Sequence, residues 1–308
     1  MDSKDAVDLL EKNGCRGVFI PFDRLNGVKE EIRRLRREGM LDKSFYDEWM
    51  PTYLDAKLPR SMSKPKSILL IAVPATQRKV TFHFNEKAHQ FVVPPTYGIG
   101  TRITRRLRNI LKDGQRNGSF RLVAAFPPLK LLAVRSGLAI YGRNNVTYVP
   151  GFGSFHRLMA FYSDLEAPEG HWGEKRAHPK CAKCGACVSA CPTGAISEDR
   201  FLLRAERCLP FMNERTSEHP FPSWVKPEWH NAIVGCMICQ RVCPIDRGVI
   251  GKTEDGESFS EEETEYLLKG KYSGKKAALI RKKLKRAGLD MSIFPRNLET
   301  LLNRPGSN

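Results

Sequence analysis

The sequence predicts an α/β (α+β) domain over residues 1–170, followed by a small cysteine-stapled module. Three observations predict it. Strand-like apolar runs alternate with amphipathic helical patterns through the first half of the chain. Eight of the nine cysteines crowd between Cys181 and Cys243. Near Gly170 the composition changes to one rich in Cys, Pro and turn residues, which suits a module held by a metal group and not by a large apolar core. The expected organisation is therefore 1–170, 171–250 and a basic helical tail over 251–308.

The elements follow in order. Residues 3–13 read as a short helix with Ser3 as N-cap, Ala6, Leu9 and Leu10 on one face, and Gly14 as its end. Gly17–Ile20 reads as a strand and Glu30–Arg37 as a charged helix. Lys66–Val73 (KSILLIAV) is a continuous apolar run between Pro65 and Pro74, the pattern of a strand buried on both faces. Thr81–Phe84 is a further strand, and Thr101–Lys112 a basic helix with Ile103, Leu107, Ile110 and Leu111 on its apolar side. Phe120–Ala124 and Val146–Val149 read as strands, with a helix over Leu129–Ser136 between them. Cys15, beside the first strand, reads as a buried apolar thiol.

The chain of 308 residues carries 51 Lys+Arg against 34 Asp+Glu, a formal charge of +17. Such an excess suits an acidic partner, such as RNA, a nucleotide-bearing cofactor or an acidic electron donor, and equally suits simple solubility. The exposed basic segments are Arg102–Arg108 and Lys275–Arg286, both at helical spacing. No run of 18 apolar residues occurs, so no membrane span is expected. The first residues lack a secretory signal, and a cytoplasmic location with reduced thiols is the expectation.

The cysteine spacing is the most specific signal. Cys181-x2-Cys184-x2-Cys187-x3-Cys191-Pro192 is followed by Cys208 and then Cys236-x2-Cys239-x3-Cys243-Pro244. Three thiolates in one tight loop match three corners of an iron–sulfur cubane, and the fourth, before proline, serves the other cluster. That crossover assigns Cys181, Cys184, Cys187 and Cys243 to one [4Fe-4S] cluster and Cys191, Cys208, Cys236 and Cys239 to a second. Structural zinc sites use two separated CxxC pairs, which this pattern does not show. Two cubanes make an electron conduit, fed by a low-potential donor such as a ferredoxin or flavodoxin.

Beyond the spacing, several segments resemble epoxyqueuosine reductase and the related reductive dehalogenases. Lys130–Asn144 (KLLAVRSGLAIYGRN) is similar to the family's Ala-Gly-Leu-Gly-Trp-Ile-Gly-Lys-Asn. Gly153-Ser154-Phe155 resembles its Gly-Ser-Trp, and Ser163-Asp164-Leu165-Glu166 its Thr-Asp-Leu-Glu. Cys184–Ile196, Arg207-Cys208 and Gly235–Pro244 complete a likeness over roughly residues 60–250. The resemblance implies a corrinoid-binding-like domain joined to a bacterial ferredoxin-like module, with cobalamin besides the two clusters. It places Gly137, Leu138, Tyr141, Gly142, Arg143, Asn144, Gly153 and Ser154 around that cobalamin. It implies an oxidoreductase.

One departure decides how far this carries. The family's Val-Asp-Ser/Thr-x-Pro segment, whose acid is proposed to donate a proton, falls at about Val123, and no Asp or Glu occurs from Ser119 to Tyr162. Tyr97, Tyr141 and His156 are the candidate replacements. The leading expectation is thus a cobalamin- and iron–sulfur-dependent reductase of an unidentified small organic substrate. The alternatives are an electron-transfer protein that reduces cobalamin for a separate enzyme, and a tRNA epoxyqueuosine reductase.

Overall fold

A computed structural model describes residues 1–97, 100–112 and 120–304. In chain order the longer elements are α1 (Ser3–Lys12), β1 (Arg16–Pro21), α2 (Arg24–Arg37), α3 (Lys43–Trp49), α4 (Pro51–Leu54), β2 (Ser67–Pro74), β3 (Gln77–Phe84), β4 (Lys87–Val93), α5 (Gly100–Ile110), β5 (Leu122–Ala125), α6 (Leu129–Arg135), β6 (Ile140–Tyr141), β7 (Thr147–Tyr148) and β8 (His156–Ser163). The cysteine-rich part and tail add α7 (Ala186–Ala190), α8 (Leu209–Asn213), α9 (Ile238–Arg241), β9 (Thr253–Phe259), α10 (Glu261–Leu268), α11 (Gly274–Ala287) and α12 (Arg296–Leu302). The contacts divide the chain into two compact units, each built from separated segments.

The first unit comprises residues 1–74, 101–185 and 198–205. Its sheet has the order β1-β2-β8-β5, and every neighbouring pair is antiparallel. The alternating apolar and mixed runs therefore make an α+β layer structure, not a parallel βαβ sheet. β2 is apolar on both sides because both sides are covered. Ile68, Leu70 and Ala72 face a core built with Leu25, Val28 and Ile32 of α2 and Leu131–Val134 of α6. Leu69, Ile71 and Val73 face a second core with Ala6 and Leu10 of α1 and Leu107 and Leu111. Leu69, Leu70 and Ile71 have no exposed surface, and each such burial contributes about 1.5–3 kcal/mol. Cys15 lies fully buried in the second core, where burial raises its thiol pKa and keeps it protonated.

Two local details differ from expectation. The N-cap of α1 is Asp2, not Ser3: Asp2 accepts from the Asp5 backbone N–H while Asp5 accepts from that of Asp2. β8, the strand that pairs with both β2 and β5, carries His156 and Arg157 at its start, and these hid its strand pattern.

The second unit comprises residues 75–100, 186–197 and 206–308. This differs from three consecutive blocks, and the cause is one pairing: β9, from the tail, runs parallel to β3 in a sheet of order β4-β3-β9. The tail is thus not wholly helical. Phe82 of β3 stacks on Phe259 of β9 at 4.8 Å between ring centroids and packs against Phe294. Gln77 Nε2 donates to Ile250 O at 2.7 Å, and Arg78 Nη2 donates to Ala287 O at 3.0 Å, so the strand ends are fastened as well.

Candidate functional site

In the second unit, short helices present the cysteines. α7 carries Cys187 and leads into Cys191; α9 carries Cys239 and leads into Cys243; the two helices pack together. None of the nine cysteines is in a disulfide, and the eight of the cluster motif are half-buried residues. The charge of Cys191 raises the Cys236 thiol, and those of Cys208 and Cys236 both act on Tyr97. Cys191, Cys208 and Cys236, three of the four residues assigned to the second cluster, therefore lie within electrostatic reach of the same surroundings, although among the described residues no three such side chains stand close enough together to ligate one metal ion. Burial pushes the Cys236 thiol up, and the Asn231 side-chain amide, with Nδ2 at 3.2 Å from Cys236 Sγ, opposes it. Thr193 Oγ1 stands 3.5 Å from Cys191 Sγ. Half-buried thiols outside any disulfide, one with the Asn231 amide N–H and one with the Thr193 hydroxyl beside its sulfur, are a donor set of the type that an iron–sulfur cluster uses.

In the first unit, Cys181 closes a single 3-10 turn (Pro179–Cys181), capped by His178 Nδ1 accepting from Lys180 N at 3.2 Å. Arg143 Nη2 approaches Cys181 O at 3.5 Å. The Gly-rich segment is largely explained by its own packing. Gly137 follows the C-terminus of α6 with φ +76°, the left-handed conformation that favours glycine, and its N–H donates to Val134 O at 3.2 Å. A Cβ on Gly137 would meet the His171 ring at 3.1 Å. At Gly142 a Cβ would fall inside 3.0 Å of both the Tyr148 ring and the Asn144 amide oxygen. Asn144 itself donates to Tyr148 Oη at 3.0 Å and accepts from Val146 N at 3.2 Å, which holds the β6–β7 turn. Leu138 packs into the core, Ser154 is fully buried, and Gly153 closes a turn by exchanging two 3.0 Å backbone bonds with Val149. The space beside Gly142 is taken by the protein's own Tyr148 and Asn144 side chains, so Gly142 does not present an open backbone cradle for a flat macrocycle, whereas Gly137 borders only the exposed His171 ring. The segment adjoins a cleft of about 360 Å³ lined in part by Phe19, Ile20, Ser136, His171 and Trp172, with Arg24 set 5.5 Å over the Trp172 ring.

The three candidate proton donors fare differently. His156 is buried between Thr147 Oγ1 at 3.0 Å and Gly153 O at 3.1 Å. A carbonyl only accepts, so Nδ1 carries the proton and Nε2 accepts from the threonine. Burial lowers its pKa to about 4, so this imidazole is neutral and fully used in the fold. Tyr97 donates its hydroxyl to the Glu214 carboxylate; burial, then the charge of Glu214, raise the phenol well above its ordinary range. Tyr141 sits edge-on to Phe201 at 5.6 Å between centroids, with its phenol pKa raised by burial and by Glu31. Among the described residues its hydroxyl has no hydrogen-bond partner. Near the place of the missing acid, β5 ends in a neutral stretch whose Phe126 is exposed, with Arg121 held by Asp164 through its N–H at 2.8 Å and Nε at 3.0 Å.

The two basic segments also separate. On α11, Lys276, Lys283 and Arg286 pair with Glu262, Glu263 and Glu257. On α5, Arg102, Arg105 and Arg108 are exposed and have no carboxylate partner among the described residues, while Arg106 donates to Asn13 O at 2.8 Å. Sequence spacing alone did not distinguish them, because the carboxylates on α11's side come from α10 and β9.

With this geometry in place, comparison with known proteins identifies the cysteine segment. Residues 180–246 match the family described as "4Fe-4S double cluster binding domain". The chain resembles epoxyqueuosine reductases. It is 27% identical over 231 residues to the "Epoxyqueuosine reductase" of Shigella dysenteriae, covering 71% of this chain and 59% of that protein. The counterpart in Escherichia coli is 26% identical over 258 residues, covering 79% of this chain and 66% of that protein. The chain thus spans about 59–66% of the length of these curated relatives. A solved epoxyqueuosine reductase with an "epoxyqueuosine-modified tRNA stem loop" superposes with a TM-score of 0.64 at 19% identity, over 97% of this chain and 80% of that one. That likeness extends the shared fold over nearly the whole chain. Among the described residues no helix is long and apolar enough to cross a membrane.

Proposed function

We propose that this chain is an iron–sulfur oxidoreductase of the epoxyqueuosine reductase type, acting on the epoxide of a modified nucleoside in tRNA. The observation that carries it is that curated relatives aligned over 71–79% of the chain, through both the α+β part and the cysteine module, bear this one activity name. A small free organic substrate, which the sequence by itself puts first, has less support.

The chemistry suits the residues. Removing an epoxide oxygen as water takes two electrons and two protons. Cys181, Cys184, Cys187 and Cys243 would hold one cubane and Cys191, Cys208, Cys236 and Cys239 a second, and such groups would supply one-electron transfer for that pair. A proton must come from a side chain other than a carboxylate in residues 119–162. His156 is committed to Thr147 and Gly153, and Tyr97 to Glu214, which leaves Tyr141 as the donor in this reading. The exposed arginines of α5 supply attraction for tRNA phosphates. Cobalamin is the further group that the resemblance implies. Because Gly142 is filled from within the fold, no step is routed through it.

The test is anaerobic incubation of the iron-loaded protein with epoxyqueuosine-containing tRNA and a low-potential reductant, with and without cobalamin, followed by nucleoside mass spectrometry. Loss of one oxygen from the nucleoside is expected. No conversion under either condition refutes the reading. The absence of Asp and Glu from Ser119 to Tyr162 favours one second reading, an electron-transfer protein that reduces cobalamin for another enzyme. Reduction of added cobalamin without nucleoside turnover would select it.

A further inference from the structure

We propose that Asn231 is a positioning residue that sets the reduction potential of the cluster ligated by Cys236. The inference rests on the reading that Cys236 binds iron and goes beyond it by naming a residue that tunes the bound group.

The side-chain amide of Asn231 is fully committed. Its Oδ1 accepts from the Met237 backbone N–H at 2.8 Å, and its Nδ2 donates to Trp229 O at 3.1 Å and lies 3.2 Å from Cys236 Sγ. The orientation of an asparagine amide must be assigned from its partners. Here they settle it, because a backbone N–H requires the oxygen and a carbonyl requires the nitrogen. Rotation by half a turn would oppose donor to donor at Met237 and acceptor to acceptor at Trp229. The N–H facing the sulfur is therefore fixed by contacts that do not involve the sulfur. Asn231 bridges the residue after Cys236 and the turn before itself, so the donor moves with the ligand.

The loop is clamped again one residue earlier. Asn213 Oδ1 accepts from Gly235 N at 2.8 Å while its Nδ2 donates to Gly235 O at 2.8 Å. Asn297 Nδ2 in turn donates to Asn213 O at 2.8 Å and to Ile233 O at 2.9 Å. Asn213 and Asn297 are buried. A buried amide that both donates to and accepts from fixed partners holds one geometry. Asn213 and Asn297 hold the chain, whereas Asn231 alone of the three reaches the sulfur.

Reduction of a cubane adds negative charge, part of it on the ligating sulfurs. A fixed N–H donor favours the charged form, so it stabilises the reduced cluster and raises its potential. Asn231→Asp keeps the acceptor for Met237 N–H and nearly the same shape, but replaces the donor with an anion. At the potential where the wild-type cluster is half reduced, the reduced-to-oxidised ratio in the variant is expected to fall at least about tenfold. For a one-electron couple that is a midpoint about 59 mV more negative.

The experiment is anaerobic potentiometric titration followed by EPR, with iron analysis of the same samples. The expected result is an unchanged iron content and one midpoint displaced downward. Full iron with both midpoints unchanged overturns the proposal. A variant that loses iron is answered with the wild type: protein labelled with 15N at the asparagine side chains, reduced, and measured by pulsed EPR. A resolved coupling to a side-chain nitrogen supports the assignment, and its absence overturns it. Cys236→Ala separates the underlying reading, since wild-type iron content there would show that Cys236 is not a ligand whatever Asn231 does.

Discussion

Replacing Gly142 by alanine tests whether the Gly-rich segment serves the fold or a bound macrocycle. A Cβ at this position lies within 3.0 Å of the Tyr148 ring and of Asn144 Oδ1, closer than real Cβ contacts come. Overpacking of this kind costs about 1–3 kcal/mol. Relief requires Tyr148 and Asn144 to move, which strains their mutual hydrogen bond and the one from Val146 N, each worth about 1 kcal/mol. The combined expectation is a loss of roughly 2–4 kcal/mol from the first unit. Gly137→Ala is the comparison. Its neighbour, the exposed His171 ring, can swing away, so the cost is that of a left-handed alanine, about 1–2 kcal/mol. Thermal and urea unfolding of iron-loaded but cobalamin-free protein would measure both, with Gly142→Ala the less stable. If both variants unfold like the wild type without cobalamin, yet retain less added cobalamin, the packing explanation is wrong and the glycines face the ligand.

Other outcomes follow from the same geometry. Cys191→Ala and Cys208→Ala are expected to abolish the same EPR species and Cys187→Ala the other, each leaving about four irons of about eight; iron analysis with EPR checks the crossover assignment. Charge reversal at Arg105 and Arg108 should weaken tRNA binding and reduce the slope of log K against log salt by roughly 0.7–0.9 for each phosphate the protein no longer neutralises, measured by filter binding across a salt series. The same reversal at Lys276 and Lys283, which are paired with Glu262 and Glu263, should change that slope less. Acidification should destabilise the first unit through His156. Its folded pKa of about 4 lies below the unfolded value of about 6.5, so only the unfolded chain takes up the proton between those limits. This contribution is constant above pH ~6.5, falls by up to about 3 kcal/mol by pH ~4, and His156→Gln should remove it from urea midpoints measured across that range.

Much of the fold was legible in the sequence itself. The apolar run KSILLIAV marks β2, because a strand covered on both faces has no polar alternation to lose. The cysteine spacings state their chemistry, since the reach of three thiolates in one loop is set by local backbone geometry. Other features were not legible. β8 escaped because its polar residues are accommodated individually: His156 by Thr147 and Gly153, and Arg157 in a half-buried position. β4 was hidden because the turn from β3 uses Asn85 and Glu86 at positive φ, and only the asparagine is a usual signal for it. β9, with the sequence TEDGESF, is acidic and mostly exposed, and becomes a strand by pairing with β3.

For the site, the sequence by itself carried the cysteine spacing of a double-cluster segment, and the family resemblance pointed to the missing acid, because both depend on residue type and order along the chain. Only the tertiary structure decided which candidates remain available. It closed the Gly142 space with Tyr148 and Asn144, and committed His156 and Tyr97 to partners up to 117 residues away. It paired the basic tail while leaving the α5 arginines without carboxylates among the described residues, and it brought Asn231 to Cys236. Availability depends on which groups share a neighbourhood after folding, and a hydrogen bond or a filled cavity leaves no mark on the spacing of the residues that make it.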